Sequence, residues 1–174
     1  MECGAHSITI HLREDRRHIR DLDVVKICKN KKIITNLEIS LNDNILKIAL
    51  KNKPNFICIV PENRKEVTTE GGLNLSKNLN KIRKIIKKFK KKKIRTSLFI
   101  DPNLKDIKIA KELDADCIEL HTGKISDLIK SKKNHIREYK KIKQCCEVAK
   151  KIGLEVHAGH GLDYDSTAIL SKLK

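Results

Sequence analysis

A chain of 174 residues has room for one domain, and its 39% hydrophobic content supplies a core, which excludes a disordered tail. No apolar run approaches the ~20 residues that cross a bilayer, and the opening MECGAHSIT lacks the basic-then-apolar order of a secretory signal, so a cytoplasmic protein with no membrane partner is expected. The net charge of +17 comes from 31 Lys against 8 Arg with only 3% aromatics, so forked base readers and stacking platforms are scarce and no nucleic-acid partner is expected.

The first strand is read at 7–11, where Ser7, Thr9 and His11 share one face and Ile8 and Ile10 the other. It runs into IHLREDRRHI at 10–19, which crowds His11, Arg13, Arg16, Arg17 and His18 at a strand's C-terminal end. β/α folds place chemistry there, and such cations fork onto phosphate or carboxylate oxygens. A second strand at 35–39 precedes a helix at 43–51, with Ile45, Ile48 and Ala49 at helical spacing and Asn42 or Asp43 as its cap. A third strand at 56–60 leads into the long connection 61–73, PENRKEVTTEGGL, whose Thr68, Thr69, Gly71 and Gly72 offer hydroxyls and backbone amides to phosphate oxygens.

A helix at 79–89 follows, through Leu79, Ile82, Ile85, Ile86 and Phe89, and the KKFKKKK at 87–93 reads as its solvated face. Beyond it come a strand at 96–100, a helix at 104–113, a strand at 117–120, a helix at 139–152 ended by Gly153, a strand at 154–158 and a helix at 166–174. Six cysteines, at 3, 28, 58, 117, 145 and 146, show neither C-x-x-C spacing nor a secreted framework, so they are expected reduced, with Cys58 and Cys117 in the strand core.

Alternating strands and helices call for a parallel sheet. A doubly wound sheet has nearly all-apolar strands, whereas here Asn36 and Glu38, then Ser97, Phe99 and Asp101, then Cys117, Glu119 and His121, put polar groups on one face of successive strands. A (β/α)8 TIM barrel with a polar upper interior fits better. Only about six of its eight strands are counted, so 1–174 is expected to be a single incomplete barrel domain lacking about one βα unit at each end, or needing a partner to close it.

Four strand ends carry groups able to move protons: His11, Glu38, Glu119 and His160. One such residue alone is more often a satisfied structural group; four facing one mouth argue for a shared site. Arg16 and Arg17 are expected to face solvent or to pair with Glu14 and Asp15. His121 suits either the mouth or a structural hydrogen bond, and His6 and His135 the surface. His157 puts a second imidazole near His160, where a fortuitous metal site is conceivable.

The segments HLREDRRHI at 11–19, NLE at 36–38, VPE at 60–62, EVTTEGGL at 66–73, SLFID at 97–101, IELHTG at 118–123 and AGHGL at 158–162 resemble, in order and spacing, the pyridoxine 5'-phosphate synthase family of vitamin B6 biosynthesis. The resemblance implies a (β/α)8 barrel that condenses 3-amino-2-oxopropyl phosphate with 1-deoxy-D-xylulose 5-phosphate without metal or organic cofactor, giving pyridoxine 5'-phosphate, phosphate and water. It implies His11 and Glu38 as general bases, His160 as proton donor and Glu119 as the carboxylate that stabilises cationic intermediates. Arg13, His18 and Thr68 would contact the deoxyxylulose phosphate, and Gly161 the aminoketone phosphate. The family forms homo-oligomers, commonly octamers. Its Asn-x-Asp-His segment and nearby Arg on the first strand, and its Gly-His pair on the last, have no counterpart in these 174 residues, so little or no activity is expected of this chain alone. Two other functions compete: an inactive barrel fragment or assembly module, and a metal-dependent sugar-phosphate aldolase or isomerase ligated by His11, Glu38, Glu119 and His160.

Overall fold

Among the described residues six strands stand side by side in the order in which the chain makes them: β1 (Ile8–His11), β2 (Thr35–Ile39), β3 (Phe56–Ile59), β4 (Arg95–Ile100), β5 (Cys117–His121) and β6 (Glu155–Gly159). Every neighbouring pair is parallel. The structure, a computed structural model, describes residues 4–62 and 71–173. Its helices are α1 (Asp21–Lys29), α2 (Asp43–Asn52), α3 (Leu75–Lys91), α4 (Leu104–Glu112), α5 (Gly123–Lys130), α6 (Ile136–Lys151) and α7 (Tyr164–Leu170). Neighbouring helices touch, α1 with α2, α3 with α4, α4 with α6, and α5 with α6 and α7, so they form one layer.

The core lies between that layer and the sheet. Leu37, Ile39, Ile57, Ile59, Leu98, Ile100, Ile118 and Leu120 are fully buried, and α3 answers with Ile82, Ile86 and Phe89. Each such side chain contributes about 1.5–3 kcal/mol by leaving water. The opposite face is polar, because register sets His11, Glu38, Cys58, Ser97, Cys117 and Glu155 level with one another across the six strands. Cys58 and Cys117 are buried as expected, but on this polar side, where Cys58 packs with Val60 and Phe99 apart from the main core.

The polar face is concave. In a flat sheet β2 and β5 would stand ~14 Å apart at ~4.8 Å per strand. Here the Glu119 carboxylate on β5 reaches Cys58 on β3 at 3.7 Å, and its charge is felt by Glu38 on β2. The sheet therefore curls into an incomplete (β/α) barrel. Among the described residues β1 pairs only with β2, and β6 only with β5.

Strand bounds agree with the sequence to within a residue. Helix α3 begins at Leu75 rather than 79 because the Asn74 side chain caps it, accepting from Lys77 N. The last helix is shorter than expected, starting at Tyr164 behind the Asp163–Ser166 capping box and ending at Leu170. Lys90 in the Lys-rich run pairs with Asp114 at 2.7 Å, and Phe89 alone in that run is buried, as a solvated face requires. Among the described residues no helix is long and apolar enough to cross a membrane.

Candidate active site

The mouth is built around His11, the last residue of β1. Its Nδ1 lies 3.6 Å from Glu38 Oε2 on the register-paired strand, and its Nε2 lies 3.8 Å from Glu62 Oε2. Burial depresses the imidazole's pKa, and the Arg13 guanidinium adds to the effect. Burial also pushes Glu38 up to about 7, with the Glu119 carboxylate adding repulsion. Burial thus disfavours the charged form of each group, an arrangement in which a proton can pass between imidazole and carboxyl.

Glu119 enters from β5 between Cys58 and β6. Burial raises its pKa, while the Cys58 thiol donates to its Oε2 at 3.7 Å. Gly159 on β6 makes room for it, since a Cβ there would stand 2.1 Å from Glu119 Oε1. Any larger residue would displace the carboxylate.

A second group lies just beyond the ends of β4, β5 and β6. His160 takes a left-handed backbone, φ +78, held by the Thr122 hydroxyl, which lies 2.6 and 2.8 Å from the carbonyl oxygens of Gly159 and His160. Its ring is 4.8 Å from His121 and 6.2 Å from Phe99, centroid to centroid. Partial burial and the neighbouring His121 lower its pKa, which favours the neutral imidazole. His121 Nδ1 is 3.1 Å from Asp101 Oδ1, which also accepts the Gly72 backbone N–H at 3.0 Å. His121 is therefore both a structural partner and a wall of the mouth, the two roles its sequence position left open.

A family profile described as "Pyridoxal phosphate biosynthesis protein PdxJ" matches residues 1–174. The chain belongs to the PdxJ family. It is 75% identical over 174 residues to a pyridoxine 5'-phosphate synthase of Pelagibacter ubique (strain HTCC1062), covering 100% of this chain and 73% of that protein. It is 49% identical to one from Blochmanniella pennsylvanica (strain BPEN), covering 94% and 66%, and 42% identical to one from Aliarcobacter butzleri (strain RM4018), covering 98% and 74%. The chain thus spans about two thirds to three quarters of these relatives' length. In fold it also resembles a D-psicose 3-epimerase crystal structure, at a TM-score of 0.50 and 10% identity over 97% of this chain and 80% of that one.

Within this PdxJ chain, His11, Glu38 and Glu119 converge as their strand-end positions led one to expect, while His160 sits in the adjoining histidine group. Arg13 is half-buried and ion-paired with Asp15 at 3.2 Å, and His18 is exposed in the same loop. Thr68 lies outside the described residues. Gly161, φ +73, follows His160, and its carbonyl accepts from Lys130 Nζ at 3.0 Å. The expectation for Arg16 needs correcting: it pairs with Asp21 at 2.6 Å and reaches the carbonyl oxygens of Arg13 and Glu14, because its left-handed backbone, φ +56, turns it back toward α1. Arg17 does lie near Asp15, at 3.5 Å.

Sequence reasoning missed Glu62, whose side chain is 4% exposed and whose Oε1 accepts the Glu14 backbone N–H at 2.7 Å. The signal was available, since Glu62 stands just past β3 as Glu38 stands within β2. For a metal ion, the group among the described residues with ligand atoms close enough, within 4.8 Å, is Cys117, Glu155 and His157. His157 bonds Glu155 at 2.7 Å rather than approaching His160, and Arg95 already neutralises Glu155 at 2.5 Å, so a cation would meet a guanidinium there.

Proposed function

We propose that this chain carries the proton-transfer centre of a pyridoxine 5'-phosphate synthase, condensing 3-amino-2-oxopropyl phosphate with 1-deoxy-D-xylulose 5-phosphate. The observation that carries it is the His11–Glu38 contact at 3.6 Å, with Glu38 held near pKa 7. Imine formation, loss of phosphate and ring closure each need a proton taken from carbon or nitrogen and another delivered to a departing oxygen. A carboxyl and an imidazole that exchange one proton near neutral pH suit the first task, and His160, whose ring stands beside His121 and passes on a proton it has first taken up, takes the second. Glu119, whose Oε1 lies where a Gly159 Cβ would be, offers negative charge to a cationic intermediate.

In this reading Arg13 and His18 take the deoxyxylulose phosphate together with Thr68, Arg13 exchanging its Asp15 partner for phosphate oxygens. The Gly161 backbone takes the aminoketone phosphate. Metal ligation by His11, Glu38, Glu119 and His160 finds less support, because among the described residues the metal-competent group is a different one, at Cys117, Glu155 and His157. The enzyme is read as a cytoplasmic homo-oligomer whose barrel closes with two further βα units.

The test is product formation from the two substrates by the chain and by a version extended with the βα units that its relatives' greater length accommodates. The extended protein forms pyridoxine 5'-phosphate with kcat/KM rising through about pH 7 as Glu38 ionises, and the 174-residue chain turns over poorly. Glu38→Gln in the extended protein lowers kcat about 100-fold or more. Near-normal turnover in that variant would reject the assignment of Glu38.

A further inference from the structure

We propose that Glu62 is a positioning residue of this site: by accepting a hydrogen bond from His11 Nε2–H, it fixes the imidazole in the tautomer whose bare Nδ1 faces Glu38.

The geometry gives His11 two carboxyl neighbours on opposite ring nitrogens, Glu38 at Nδ1 and Glu62 at Nε2. A neutral imidazole has one N–H, so it can donate to only one of them, and the other nitrogen must accept. The two carboxyls are not equivalent. Burial raises the Glu62 pKa too, but its Oε1 accepts the Glu14 backbone N–H at 2.7 Å, and this bond, with the Arg13 guanidinium nearby, works for the ionised, accepting form. Glu38 has no such anchor in the described hydrogen bonds and faces a second carboxylate, Glu119, a setting in which it carries a proton more readily.

Two buried atoms then stand out. His11 Nε2 and Glu62 Oε2 are both without a hydrogen-bond partner among the described residues, yet they are 3.8 Å apart. A buried donor or acceptor left unmade costs about 1–3 kcal/mol, so a side-chain shift of roughly 0.6–1 Å that brings the pair to hydrogen-bond distance satisfies both at once. With Nε2–H committed to Glu62, the Nδ1 lone pair is directed at Glu38 and at whatever proton a substrate brings between them. Fixing a tautomer through the far ring nitrogen is how a buried carboxylate orients a catalytic imidazole in general. The tautomer is a property of the folded chain; its catalytic consequence rests on the synthase reading above.

The test is nitrogen-15 NMR of histidine-labelled protein, with His11 assigned by the resonances lost in His11→Gln. It needs no turnover, so failure of the synthase assay leaves it decisive. Wild-type His11 above its pKa shows the Nε2–H tautomer. In Glu62→Leu that signal is lost in favour of Nδ1–H or a mixture. In Glu62→Gln, which keeps shape and an acceptor oxygen but not the charge, Nε2–H is retained and the imidazole titrates at lower pH. A wild-type ring protonated on Nδ1, or an unchanged tautomer in folded Glu62→Leu, overturns the proposal. Should the leucine variant not fold, an unchanged His11 titration in Glu62→Gln overturns it equally. In the extended synthase the same Glu62→Leu lowers kcat about tenfold or more with KM little changed, the split expected of a residue that orients a base without touching substrate.

Discussion

Glu38 is held in a state the protein tolerates at a cost. Its carboxyl, 23% exposed, is raised from an ordinary 4.5 to about 7, so the folded chain binds a proton there that the unfolded chain has released. Stability therefore falls as pH rises from ~4.5 to ~7 and stays lowered above, by up to about 3 kcal/mol for this group. Glu38→Gln removes the ionisable group, so the variant matches wild type in urea unfolding near pH 4.5 and is more stable near pH 8. A variant-to-wild-type difference that does not change with pH would show that the carboxyl is not raised. Under the proposed synthase reading, the substitution expected to lower turnover is thus the one expected to stabilise, a trade-off typical of sites that hold a group in an unfavourable charge state. The identity of this residue was legible in sequence because a Glu within an alternating strand has a known face. Its elevated pKa was not, because it arises first from burial in the curled sheet and then from Glu119, three strands away across the concave surface.

Elements were legible where their apolar spacing was dense. Helix α2 with Ile45 and Ala49, α3 with Ile82, Ile86 and Phe89, and α4 with Ile107 and Ala110 all bury the positions their periodicity marks. Helices α1 and α5 went unread for opposite reasons: DLDVVKICK buries only Val24 and Cys28 amid charges, and GKISDLIK is eight residues long and opens on Gly123. Close approaches between elements are likewise invisible in sequence. Gly72 lies against the end of β4, where a Cβ would stand 2.2 Å from Asp101 N and 2.5 Å from the Ile100 carbonyl carbon. Those are backbone atoms and cannot swing aside. Gly72→Ala must lift the segment off the strand, breaking the Gly72 N–H bond to Asp101 and the Leu73 N–H bond to Phe99 O at 2.8 Å. The expected loss is about 2–4 kcal/mol in urea unfolding, from overpacking plus two hydrogen bonds, with the His121–Asp101 pair disturbed in the same variant. A loss below about 0.5 kcal/mol would mean that the segment is not seated on β4 as described.

At the scale of the molecule two forces oppose each other. β1 and β6 each present one unpaired side among the described residues, and Ile8 on β1 is 36% exposed, so both are templates for another strand. Between them opens a cavity of about 560 Å³ lined by Thr9 and Asn36 at one side and Glu155 and His157 at the other. Against association stands a net charge of +17, with lysines dense on α3 and α6. Screening decides the balance, since the Debye length falls from ~30 Å at 0.01 M salt to ~8 Å at 0.15 M while strand pairing is short-ranged. A polypeptide of these 174 residues is therefore expected to sediment as a monomer at low ionic strength and to shift toward larger species as salt is added. Binding through acidic partners or through charge alone would show the reverse trend, weakening with salt. Lys substitutions at Thr9 and Ala158, both exposed, placing charge on both open strands, should hold the chain monomeric at high salt. Association that persists in that double variant would place the contact on the helix layer and leave the strand edges without a role in it.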